Sequence, residues 1–76
     1  MEKLTALIQQ IKVLSGNLSD DEKESVNESL KVIENESRSV IPKKSMIKTA
    51  LNSIKSIART TEFCAAVTTL AKYFGF

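Results

Sequence analysis

Apolar residues recur at three- and four-residue intervals along nearly the whole chain, and no segment alternates with period two. Leu4, Leu7, Ile8, Ile11 and Leu14 share one face of a helix predicted over residues 2–15. Gly16-Asn17 then supplies the left-handed stop that commonly ends a helix. Val13 falls off the stripe and marks a second contact. The next helix opens with a capping box, in which the Ser19 hydroxyl accepts from the Glu22 amide and the Glu22 carboxylate accepts from the Ser19 amide. Asp20, Asp21 and Glu22 also place negative charge at the positive end of the helix dipole. This helix runs to about Ser37 on a thin stripe, Val26, Leu30 and Ile33, with Val32 off it. It is expected to lie against the core with most of its surface in water.

Residues 39–42 read as a connector. Pro42 disfavours helical geometry at Ile41 and suits an early helical position itself, while Ser45 is a second candidate cap. Helix three aligns Ile47, Leu51, Ile54 and Ala58, widened by Ala50 and Ile57. The phase shifts near Arg59-Thr60-Thr61, where Thr60 or Thr61 can cap a further helix with the stripe Phe63, Ala66, Val67, Leu70, Ala71 and Phe74. The expected fold class is all-α: a small antiparallel bundle of three to four helices, the third bent or broken near residues 59–61. Its predicted core is Leu4, Leu7, Ile8, Ile11, Leu14, Val26, Leu30, Ile33, Ile47, Leu51, Ile54, Phe63, Val67, Leu70 and Phe74.

Length changes the picture by limiting the core. The 76 residues form one domain, 1–76, compatible with a module of a longer protein. A chain this short buries only about 60% of the surface it exposes unfolded. Small scaffolds add disulfides, a metal or a partner. One cysteine forms no internal bridge, and without histidine a single thiol cannot hold structural zinc. A second copy or a partner protein is the remaining staple, with no cofactor and no small-molecule substrate expected. Cys64 is expected to pack as a small hydrophobe, compatible with a reducing cytoplasm. The opening residues are amphipathic and do not form a signal peptide. No apolar run reaches the ~20 residues that span a bilayer.

Charge is uneven. Residues 1–39 hold five basic and eight acidic side chains, net −3, and residues 40–76 hold six and one, net +5. Lys44, Lys48, Lys55 and Arg59 are spaced by four, seven and four, with Asn52 in the gap and Lys43 beside the start. This line is a candidate anion-binding face for nucleic acid or anionic lipid, or a contact for an acidic protein partner. The favoured reading sets it against helix two, with Asp20, Asp21, Glu24 and Glu28 near Lys55 and Arg59, and Glu34 and Glu36 near Lys43 to Lys48. Each exposed pair contributes only about 0–1 kcal/mol. Nucleic acid is disfavoured, because +2 is a small charge for such a binder and helix three carries no aromatic side chain.

The last helix is nearly apolar all round, and a surface of that kind calls for a cover. Its second face reads Cys64, Ala65, Thr68, Thr69, Lys72 and Tyr73, small or hydroxylated residues that permit close helix approach. It is read as a buried central helix or as a self-association surface made by Cys64, Ala65, Thr68, Thr69 and Tyr73. A membrane surface suits Lys72 and the aromatic end Tyr73-Phe74-Gly75-Phe76, but is not favoured because the helix is short and lacks a strongly charged opposite face. Catalysis finds no support: serines lack a histidine base, and two glycines make no phosphate loop. The expected function is a non-enzymatic interaction and self-assembly module, contacting through the C-terminal helix. The alternatives are a small anion-binding protein and a membrane-active effector.

From Leu18 onward, LSDDEKE, PKKSMIK, LNSIKSIA and TEFCAAV resemble, in order and spacing, the C-terminal helical module of uncharacterised bacterial proteins. The resemblance covers most of the chain. It implies a stand-alone helical unit for assembly, joined in longer members to a variable N-terminal region. It carries over no catalytic or binding residue. Cys64 stands where the resemblance implies a smaller residue, often glycine, which would loosen a close helix contact there.

Overall fold

Periodicity and caps place four helices. The computed structural model describes residues 2–76: α1 is Glu2–Leu14, α2 Asp20–Arg38, α3 Lys44–Ile57 and α4 Thr61–Tyr73, with a 3-10 turn at Ser15–Asn17. No strand occurs among the described residues. Both halves of the α2 capping box form, with the Glu22 amide donating to Ser19 Oγ and the Ser19 amide to Glu22 Oε1, each at 3.3 Å. The break after α3 is also present. Ala58 leaves the helix in extended geometry, and Thr60 Oγ1 accepts the Phe63 amide at 3.1 Å to start α4.

Three local expectations are corrected. Gly16 does not stop α1 in the left-handed region; the only positive φ among the described residues is at Gly75, +86°. The chain instead tightens into the 3-10 turn, closed by the Leu18 amide on the Ser15 carbonyl at 3.0 Å. Neither Pro42 nor Ser45 starts α3. Lys43 is its N-cap, without a side-chain cap, and Pro42 lies outside the helix. The Lys43 amide is instead satisfied from α2, donating to Glu36 Oε1 at 2.9 Å.

The helices run up and down in sequence, each packed on its neighbours, with α1 against α4 closing the ring. Leu4, Pro42, Lys44 and Tyr73 surround one cavity, which places the α1 start, the α2–α3 connector and the α4 end at one end of the bundle. Leu14, Leu18, Arg59 and Phe63 surround another at the opposite end. The 19 residues of α2 rise about 28 Å, most of the 34 Å long axis. Between the helices lies one core to which every predicted stripe contributes, with Ile11, Val26, Leu30, Ile33, Ile54 and Leu70 at zero exposure. Ala50 and Ala66 join it. Leu7, Leu14 and Phe74, predicted inside, are half-buried and pack against its margin. No buried side-chain nitrogen or oxygen among the described residues lacks a partner.

Candidate interaction surface

The connector Ser39–Lys43 is short and held at both ends. The Ser39 amide closes the last turn of α2 on the Glu36 carbonyl at 3.1 Å, while the Glu36 carboxylate takes the Lys43 amide. Pro42 between them restricts Ile41 to extended geometry. With both ends tied to α2, Val40 and Ile41 are pushed outward as a tip, 98% and 79% exposed. Such exposure is unusual for two consecutive β-branched side chains, since isolated surface hydrophobes are common but clusters mark contact sites.

The tip is not alone. Met46 is exposed in the first turn of α3, and Tyr73 and Phe76 are exposed at the end of α4. Tyr73 stacks edge to face on Phe74, with ring centres 5.1 Å apart. Gly75 in its left-handed conformation turns the chain back, so that the Phe76 amide donates to the Ala71 carbonyl at 3.0 Å. Of the six exposed large hydrophobes among the described residues, only Val13 belongs to the opposite end.

Charge sorts the same way. Counting each charged residue with the half of its helix, the tip half carries seven basic and three acidic residues, net +4. The other half carries four and six, net −2, and the two restore the chain's +2. Arg38, Lys43 and Lys44 flank the tip and are exposed.

The basic line of helix three does not survive whole. α3 ends at Ile57, so Arg59 leaves its face and donates to Glu22 Oε2 at 2.7 Å. This is the only ion pair among the described residues. Direct contact between the α2 carboxylates and this line is Glu22 with Arg59 and Glu36 with the Lys43 backbone amide; Asp20, Asp21, Glu24, Glu28 and Glu34 form no ion pair with it. Lys44, Lys48 and Lys55 stay exposed. Lys48 and Lys55 face Lys72 and Phe76 across a groove of about 250 Å³ between α3 and α4, and Lys44 borders the cavity shared with Pro42 and Tyr73.

On α4, Ala65, Thr68, Thr69 and Tyr73 are exposed. Cys64 is half-buried and departs from that face, its thiol directed at the Ala58 carbonyl at 3.8 Å. The apolar stripe of α4 is covered by the chain's own core. Among the described residues no three His, Cys, Asp or Glu side chains gather as they would around a metal ion, and no helix is long and apolar enough to cross a membrane. No family model, curated protein or solved structure matches the chain.

Proposed function

We propose that this chain is a non-enzymatic helical interaction module whose contact surface is the tip end of the bundle. The observation that carries this reading is the near-complete exposure of Val40 and Ile41 at the tip, with Tyr73 at the same end and Met46 and Phe76 on the flanking grooves, on a core that is already closed. Val40 and Ile41 contribute nothing to the core, so their burial is left for association. Self-association along α4, through Cys64, Ala65, Thr68, Thr69 and Tyr73, is the second reading. The exposure of four of those five residues favours it, but Tyr73 is the only large apolar group among them, so it ranks below the tip. Anion binding by Lys44 and Lys48 falls in the tip half, whereas Lys55 lies in the far half of α3 and Arg59 is paired with Glu22.

Site-specific photo-crosslinking in the cells that make the protein tests this without naming a partner. A benzophenone side chain is placed at Val40, at Thr68 on α4, and at Lys31 on the solvated face of α2. Adducts with protein or lipid are expected from position 40 and not from 31. Adducts from 68 alone move the contact to α4, and adducts from neither refute the interaction reading.

A further inference from the structure

We propose that the tip end docks on an anionic lipid surface, with Val40 and Ile41 entering the headgroup–acyl boundary and the surrounding cations meeting lipid phosphates. The proposal rests on the interaction-module reading and names the partner of that surface. Three observations converge on it.

The tip is an apolar point inside a cationic collar. Val40 and Ile41 project between Arg38 on one side and Lys43 and Lys44 on the other, with Tyr73 at the same end. Peripheral membrane contacts combine shallow apolar burial with attraction of basic residues to anionic headgroups, and tyrosine suits headgroup depth. Nucleic acid would satisfy the cations and leave Val40 and Ile41 in water. An apolar protein groove would leave the collar unpaired unless its rim carried carboxylates placed to match it. An anionic lipid surface satisfies both without a tailored site.

The charge asymmetry runs along the long axis. With net +4 on the tip half and −2 on the other, the field of an anionic surface turns the bundle end-on and presents the tip first. Glu34 and Glu36 belong to the same half and reduce its charge. Glu36 is occupied by the Lys43 amide, and so fixes the tip as well as opposing the field.

The end is also narrow, about 20 × 19 Å across. Two tips seated end-on would bring halves of net +4 together and repel. A fluid anionic surface attracts the collar instead and closes around whatever projects.

The test is co-sedimentation with phosphatidylcholine vesicles, with and without phosphatidylglycerol, on the whole chain. The wild type is expected to pellet with the anionic vesicles, and salt should weaken it. Val40→Ser combined with Ile41→Ser should weaken partitioning at least about 30-fold, or about 2 kcal/mol at 1.4 kcal/mol per factor of ten. Lys43→Gln combined with Lys44→Gln, which keeps the Lys43 amide, should cost about 5-fold per charge. Circular dichroism should show both variants folded, since the replaced side chains lie outside the core. No binding to anionic vesicles overturns the proposal, as does equal binding to neutral ones or binding that survives the Val40/Ile41 replacement. Light scattering on the same samples separates the two levels: an oligomer dispersed by that replacement, without vesicle binding, sinks the lipid partner and leaves the interaction reading standing.

Discussion

A methyl group added at Gly16 meets no atom within 4 Å, and the residue lies in a 3-10 turn without positive φ. Glycine is therefore not required there, and Gly16→Ala is expected to stabilise by about 0.4–1 kcal/mol through the unfolded chain. Gly75 has equal room but φ of +86°, where an L side chain is strained. Gly75→Ala should free the last turn, read as faster hydrogen exchange at the Phe76 amide with little change in global stability. The opposite signs are measured by urea titration and exchange on the same pair of variants. From sequence, Gly16-Asn17 reads as a left-handed stop, because the dipeptide follows an apolar stripe. The chain instead turns through Ser15–Asn17 in 3-10 geometry, closed by the Leu18 amide on the Ser15 carbonyl, with no left-handed residue.

The starts of the helices show which signals are local. Ser19 and Glu22 are three residues apart and complete their box within one turn, so α2 could be read directly from the chain. Thr60 caps α4 in the same local way, and the α3–α4 break was legible for that reason. The α3 start was not, because its amide partner is Glu36, seven residues back on another helix. Ser19→Ala should accordingly cost about 1 kcal/mol, whereas Ser45→Ala, which removes no cap, should stay within about 0.5 kcal/mol. Urea melts of the two variants check this. Equal losses would mean that Ser45 supports α3 in a way its position in the first turn does not suggest.

At the scale of the whole molecule, the core was legible and the proposed contact surface was not, for one reason. A core face is written as a period within each helix, so Val26, Leu30 and Ile33 announce themselves. The tip end is assembled from residues 38–46 and 72–76, and only the up-down packing brings them together. Sequence alone placed Phe63, Val67 and Leu70 in the core and left the face with Ala65, Thr68, Thr69 and Tyr73 short of a cover; the first three are buried and the last four exposed. All four helices share a single core, so they should unfold together. Leu30, with zero exposure at the centre of α2, is the sharpest probe of that unity. Leu30→Ala should cost about 2–5 kcal/mol out of the roughly 5–15 kcal/mol that domains possess. At 4–8 °C per kcal/mol for this size, Tm should fall by at least about 8 °C. The Val40/Ile41 double serine variant should melt with the wild type, since neither side chain leaves the core. Calorimetry would show one transition whose van't Hoff and calorimetric enthalpies agree. If Leu30→Ala lowered the melting of α2 and α3 while α1 and α4 held to the wild-type temperature, the bundle would be two helical pairs in contact, and the tip would be mounted on only one of them.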